Sequence, residues 1–312
     1  MILDCDPGHD DAIAMLYALA QPDWNVEGFS IVAGNSTLDN TVTAAGQVLT
    51  VAGRTDVPYH AGLDRPLARP LRTAPHVHGE SGLAGPELPE PVLPPSAEHG
   101  VDWLRRSLTE ARAKGETIEV AATGPLTNVA AMLRWDPTLV GTIERLVVMG
   151  GAVTEGNITP AAEFNIFVDP EAAAIVFDAD LEVVMVGLDV THAAIFPKQR
   201  FEELRELGTP VGRLAAELLD YFLGFHQRVY GFDGVPIHDA CAVAVLHDPA
   251  LATMRHLRVD VETASRFCDG RTVADLWQVT GRAPNVHVVT GLDVDTFFDR
   301  LVSAIASYPA SR

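Results

Sequence analysis

The chain has 312 residues, 47% apolar and 21% charged, enough material for a full hydrophobic core. Its formal charge is −20, from 42 acidic against 22 basic residues, a field that repels phosphate backbones and anionic lipid and argues against nucleic acid polymers and membranes as partners. No run approaches the ~20 apolar residues that span a bilayer, and the three cysteines, Cys5, Cys241 and Cys268, suggest neither a disulfide framework nor a zinc site.

The chain enters a strand at once, at Ile2 to Cys5, with no basic or apolar leader, so a cytoplasmic location is expected. The shortness of that strand hints at a few missing leading residues. A helix is predicted from Asp10 to Ala20, a strand from Val26 to Ala33, and an amphipathic helix from Ser36 to Arg54. The stretch from Ala61 to Ala97 is proline-rich and lacks periodicity; it carries His76, His78, Glu80 and Ser81 and reads as a lid. Further strands are predicted at Ile118 to Ala122, Leu146 to Met149 and Val183 to Val186. From Pro197 the pattern turns more helical, then gives strands at Leu257 to Val261 and Val286 to Val289 and a last helix from Val294 to Ser307. Strands alternating with helical periods predict an α/β fold, a single open, mostly parallel twisted sheet flanked by helices, with extra C-terminal helices and strands. With no repeat and no linker, residues 1–312 read as one domain.

The strongest local signal is Asp4-Cys5-Asp6-Pro7-Gly8-His9-Asp10-Asp11. Asp4 and Asp6 are two apart at a strand end and leave on the same face. Asp10 and Asp11 open a helix whose positive end favours carboxylates. The carboxyl end of a parallel strand is where open α/β sheets bind ligands. Carboxylates gathered there cannot all ionise without a cation, and an all-oxygen site suits calcium or magnesium. The blander reading makes Asp10 or Asp11 a helix cap and leaves Asp4 to solvent. The segment lacks the spacing of an EF-hand. A haloacid-dehalogenase-like, magnesium-dependent phosphatase also begins with Asp-x-Asp after a strand and is the alternative enzyme class, although no convincing partner lysine is present.

With its continuation, this opening resembles the inosine-uridine preferring nucleoside hydrolase family. The resemblance runs in order through Gly34-Asn35, His78-Gly79-Glu80-Ser81-Gly82, Ala122-Thr123-Gly124-Pro125-Leu126-Thr127-Asn128 and Met149-Gly150-Gly151. It continues through Glu163-Phe164-Asn165, Asp169-Pro170-Glu171-Ala172, Gly187-Leu188-Asp189-Val190-Thr191-His192 and Ile237-His238-Asp239. It implies calcium-dependent hydrolysis of ribonucleosides to free base and ribose, in a homodimer or homotetramer. It also implies calcium held by Asp6, Asp11, the main-chain carbonyl of Thr123 and Asp239, and ribose hydroxyls bound by Asp10, Asn35, Asn157, Glu163 and Asn165. Without it, Asn157 reads equally as a turn residue and Asn35 as a helix cap.

In such a reaction calcium binds the ribose diol and one water, Asp6 is the expected base for that water, and nearby negative charge stabilises an oxocarbenium-like sugar. His238 is the expected general acid, since an unperturbed imidazole pKa near ~6.5 allows donation near neutral pH; its structural alternative is orienting Asp239. A second pair, His247-Asp248, lies about half a turn out of phase with the first on one helix and is not expected at the site. Tyr230 is expected to assist from the base pocket, with His78 and Met149 lining it. The His-Asp pairing and the absence of tryptophan near His78 resemble inosine-uridine-preferring or pyrimidine-preferring members more than purine-specific ones. A non-catalytic calcium- or nucleoside-binding protein on the same scaffold is the competing class.

Overall fold

A computed structural model describes residues 1–310. The central sheet has eight strands: β1 (Ile2–Cys5), β2 (Gly28–Ile31), β3 (Tyr59–Ala61), β4 (Ile118–Ala122), β5 (Ile143–Met149), β6 (Val183–Val186), and two late strands placed below. Two short strands, β7 (Ile195–Pro197) and β8 (Gly234–Pro236), pair apart from it. The late strands β9 (Ala252–Leu257) and β12 (Val286–Leu292) complete the sheet, while β10 (Val259–Val261) and β11 (Thr272–Ala274) form a separate antiparallel ribbon.

The sheet order is β3-β2-β1-β4-β5-β6-β12-β9, parallel throughout except for β9, which runs antiparallel to β12 at one edge. After β1 the chain builds outward to β2 and β3, then returns to lay β4 on the other side. The order therefore reverses between β1 and β4, and the crevice beyond their carboxyl ends is the place such a sheet offers a ligand.

Period-two alternation divides the strands between two apolar layers. Leu3, Cys5, Phe29, Ile31, Ala121 and Val147 face helices α1 (His9–Leu19), α2 (Leu38–Ala52), α10 (Pro210–Tyr230), α11 (His238–His247) and α12 (Val294–Ala306). Ile2, Val120, Ala122, Leu146 and Val148 face α4 (Gly100–Lys114), α5 (Thr127–Trp135) and α7 (Pro170–Phe177). Shorter helices are α3 (Pro75–His78), α6 (Phe164–Val168), α8 (Leu188–Thr191) and α9 (Gln199–Glu206). Helices α1 and α11 pack against each other, and every residue of α1 is buried. Among the described residues no helix is long and apolar enough to cross a membrane.

The predicted open, mostly parallel sheet is present, with local differences. The second strand is shorter than Val26 to Ala33, and the helix after it begins at Leu38, behind Thr37, and closes on Gly53 in the left-handed region at φ 67°. The single strand expected from Leu257 to Val261 is broken at Arg258. There Asn285 accepts from the Val259 N–H and donates to the carbonyls of Val259 and Phe177, which turns the chain out of the main sheet.

The proline-rich stretch is mostly irregular but tied down. Leu63 N–H donates to Asn128, Leu67 N–H to Asp169, and Ala74 N–H to the carbonyl of Asn35. Arg69 reaches across to both Glu171 and Asp269 and donates to the carbonyl of Thr263.

Candidate active site

Beyond β1 the chain turns through Asp6, Pro7 and Gly8 into α1. Gly8 is needed for space: a Cβ there would lie 2.7 Å from the His78 ring and 2.8 Å from the Asn35 amide. Asp6 sits between Gly34 and Gly124, where any Cβ would collide with its carboxylate. Its Oδ2 accepts from the Asn35 N–H at 2.6 Å, whereas its Oδ1 is buried with no hydrogen-bond partner. Asp11 accepts from the Gly8 N–H at 3.0 Å, the Asn35 amide at 3.1 Å and the Thr123 hydroxyl at 2.8 Å. From the other side Asp239 enters on the first turn of α11.

Asp10, Asp11 and Asp239 each offer one carboxylate oxygen within 4.8 Å of the others. Burial, then mutual repulsion, lifts these groups: Asp10 reaches about 8, and Asp6 and Asp239 lie well above the ordinary carboxylate value. Such a set holds either protons or a cation. The unpartnered Asp6 Oδ1, the gathered oxygens and the absence of sulfur or nitrogen donors fit a hard divalent metal. The expected ligand set differs in part from this convergent trio, which has Asp10 where the expectation has Asp6. The Thr123 carbonyl, the fourth expected ligand, accepts from the Asn165 amide at 2.7 Å and keeps a second lone pair.

Asp4 does not join the cluster. It lies inside the sheet on the face opposite Leu3 and Cys5, fully buried beneath α5 and accepting from the Asn128 amide at 2.9 Å. The solvent-facing alternative for Asp4 is therefore incorrect. Burial raises its pKa to about 7.

A cleft with about 690 Å³ of open space, mouth included, lies over the carboxylates. Its lining contains Asp10, Asn35, His78, Thr123, Met149, Asn157, Glu163, Asn165, Tyr230, His238 and Asp239. Of the site residues expected from sequence, only Asp6 and Asp11 are absent from that lining, and both are buried beneath it. Glu163 caps α6: its two oxygens accept from the N–H groups of Gly151, Asn165 and Ile166, and burial raises its pKa to about 7. Asn165 donates also to the Met149 carbonyl at 3.1 Å, joining the ends of β4 and β5.

His238 opens α11 at the cleft, with Nδ1 2.8 Å from the Thr191 hydroxyl. The expectation of an ordinary pKa for it is corrected. Burial, with His192 and His226 as neighbours, pushes it well below the usual imidazole value, so in the free site it is neutral at neutral pH. His247 closes the far end of α11 and bonds Asp23 instead.

Sequence reasoning missed His226, Phe222 and Phe225, and left His192 without a role; all four line the cleft. Phe222, His226 and Tyr230 recur every four residues along α10, so they form one stripe, and that spacing was the available signal. His76 lines the cleft, whereas Glu80 and Ser81 are exposed on the proline-rich stretch.

The model of the family described as inosine-uridine preferring nucleoside hydrolase matches residues 1–299. The pyrimidine-specific ribonucleoside hydrolase RihA of Klebsiella pneumoniae (strain 342) is 45% identical over 309 residues, 99% of this chain and 98% of that protein. RihA of Citrobacter koseri is 46% identical over the same shares of the two chains. Among solved structures, the purine-preferring ribonucleoside hydrolase from Gardnerella vaginalis superposes with a TM-score of 0.92 at 30% identity, covering 98% of this chain and 97% of that one. The switch-point cleft, its carboxylate floor and these likenesses along the whole chain lead to one conclusion: the chain belongs to the inosine-uridine preferring nucleoside hydrolase family and is an N-glycosidase acting on nucleosides.

Proposed function

We propose that the chain hydrolyses pyrimidine ribonucleosides, uridine and cytidine, to free base and ribose, with calcium as its metal. The observation that carries this reading is the buried, unpartnered Oδ1 of Asp6 beneath the cleft, beside the trio of Asp10, Asp11 and Asp239. The names of the 45–46% identical relatives favour pyrimidines over the purines named for a structural neighbour at 30% identity.

Asp6, Asp11, Asp239 and the Thr123 carbonyl would hold the calcium, with Asp10 in position to share it. When bound, the ion supplies a fixed positive charge that orients the ribose diol and lowers the pKa of an attacking water. Asp10, Asn35, Asn157, Glu163 and Asn165 bind the sugar hydroxyls. Glu163 and Asn165 do so from positions fixed by their own backbone contacts, so little is lost in ordering them. The Asp6 carboxylate takes a proton from the water as the water oxygen bonds to the anomeric carbon. The bond to the base nitrogen breaks, and the base leaves with the electron pair and acquires a proton.

His238 lines the cleft together with Tyr230. In the acid role His238 acts from its protonated form, with Nδ1–H donating to the Thr191 hydroxyl and the Nε2 proton passing to the departing base, which returns the ring to the neutral state that burial favours. The buried carboxylates also stabilise the positive charge that develops on the sugar. We read the enzyme as a cytoplasmic homodimer or homotetramer, which sedimentation of the purified protein tests.

The direct test is release of uracil, cytosine and hypoxanthine from uridine, cytidine and inosine, with chelator and with calcium restored. Release from the pyrimidine nucleosides that chelator abolishes and calcium restores supports the proposal. Faster release from inosine refutes the base preference, and chelator-resistant turnover refutes the metal.

A further inference from the structure

His9 stands at the first position of α1, fully buried, and no step above uses it. Its Nε2 lies 2.7 Å from the carbonyl oxygen of Ala84 in the proline-rich stretch, and its Nδ1 lies 3.0 Å from Nδ1 of His78. Tyr221 and Phe222 stack on its ring at centroid distances of 5.0 and 5.4 Å.

These contacts fix where the hydrogens sit. A carbonyl oxygen only accepts, so at 2.7 Å His9 Nε2 carries hydrogen. Among the described residues no carboxylate hydrogen-bonds either ring, and burial disfavours a charged imidazole, so His9 Nδ1 holds a lone pair. The 3.0 Å contact then places hydrogen on Nδ1 of His78 and leaves a lone pair on its Nε2. No side-chain or backbone group of the described residues hydrogen-bonds that Nε2, and His78 lines the cleft. The arrangement leaves one contact unmade, from the His9 backbone N–H to His78 Nδ1 at 3.3 Å. That buried N–H belongs to a first helical turn and has no intrahelical partner, so this arrangement carries the cost of leaving it unpaired. The reverse arrangement would satisfy it but set two lone pairs against each other at 2.7 Å.

We propose that His9 is a positioning residue that fixes the tautomer of His78, so that His78 presents a hydrogen-bond acceptor at Nε2 to a donor on the substrate. The donor is a sugar 5′-hydroxyl or a base N–H, since the other sugar hydroxyls lie with the carboxylates in the reading above. The substrate half rests on the cleft being the nucleoside site; the tautomer half does not. A free neutral imidazole favours hydrogen on Nε2, so without His9 the side chain would offer the opposite character.

Two substitutions separate the two bonds of His9. In His9→Asn the side-chain oxygen falls near the former Nδ1 and still accepts from His78, whereas the Ala84 bond is lost. In His9→Gln the amide reaches Ala84 but offers no acceptor at the Nδ1 position. Nitrogen-15 NMR of the full chain labelled at histidine, with His78 assigned by loss of its signals in His78→Asn, reads the tautomer directly. The expected result is hydrogen on Nδ1 of His78 in the parent protein and in His9→Asn, and on Nε2 in His9→Gln. Uridine kcat/KM is expected to fall about tenfold in His9→Gln, the loss of one hydrogen bond, and to stay within about threefold in His9→Asn. Hydrogen on His78 Nε2 in the parent, or no change in His9→Gln, overturns the tautomer assignment. A switched tautomer with unchanged turnover overturns the acceptor role alone. The His9→Gln penalty should vanish for 5′-deoxyuridine if the hydroxyl is the donor and for 3-methyluridine if the base is; persistence with both also overturns that role.

Discussion

Removing the metal should make stability fall as pH rises through neutrality. In the metal-free fold Asp10 holds its proton up to about 8, Asp4 and Glu163 up to about 7, and Asp6 and Asp239 higher than the ordinary carboxylate value. In the unfolded chain all of them are ionised above about pH 5. A raised carboxyl pKa means that the folded state binds the extra proton, so the stability it contributes is fully present below the unfolded pKa of ~4 and is lost progressively as pH rises from there through the folded pKa. The buried histidines act in the opposite direction at lower pH. His9 and His226, pushed down to about 4, stay neutral in the fold while the unfolded chain protonates them, so their contribution is lost as pH falls below about 6.5.

Between about pH 6.5 and 8 the carboxylates outnumber the one group opposing them, the Met1 amine, which burial holds below its ordinary value. Each proton held only by the fold costs about 1.4 kcal/mol of stability per pH unit. For a chain of this size 1 kcal/mol moves Tm by about 2 °C. Two such protons over that window give a fall on the order of 5–10 °C. Scanning calorimetry in chelator at pH 6.5, 7.2 and 8, at matched ionic strength, measures it. With calcium the cluster carboxylates stay ionised around the ion, so most of the slope should disappear and the calcium increment in Tm should grow with pH. A chelated Tm that is flat or rises over this range, with a calcium increment independent of pH, would refute the buried-carboxylate account.

Asp239→Asn should abolish measurable calcium binding by titration calorimetry and lower kcat/KM for uridine by about 100-fold or more, because it removes one negative charge from the converging carboxylates on the floor of the cleft. His238→Ala should lower kcat for uridine by about 10²–10⁴-fold. Its effect on p-nitrophenyl riboside, whose leaving group needs no proton, should be far smaller; equal losses on both substrates would remove His238 from the acid role. Arg69→Ala releases the tie from the proline-rich stretch to Glu171 and Asp269. It should raise KM more than it lowers kcat and speed amide hydrogen exchange in residues 62–79, while exchange in β4 and β5 stays unchanged.

The sheet and much of the site were legible because their signals are local and periodic. The carboxylates that open the chain, the strand ends and the glycines beside them lie in short runs whose spacing fixes a face or a turn. Asp4 shows the limit of that reasoning. Its face followed from the period of two, but its burial under α5 depended on Asn128, which lies 124 residues away. The pKa of His238 was misread for a similar reason, since its histidine neighbours, His192 just after α8 and His226 in α10, are distant in sequence and leave no mark near residue 238 itself. The break at Arg258 likewise depends on Asn285, a distant residue whose side chain substitutes for ladder partners. The stripe of Phe222, His226 and Tyr230 was visible in principle, but a core helix of similar pattern would have carried the same spacing.

Helices α1 and α11 both begin at the carboxylates, and both run on as almost wholly buried rods that pack against each other. Their first turns bring Asp10, Asp11 and Asp239 together, with two partial positive helix ends beneath like charges. The binding geometry is thus set by interior packing, and no mobile loop has to organise it. Loss of the ion leaves behind a frustrated but assembled receptor, so exchange should proceed at the speed of ion entry and departure, without a refolding step.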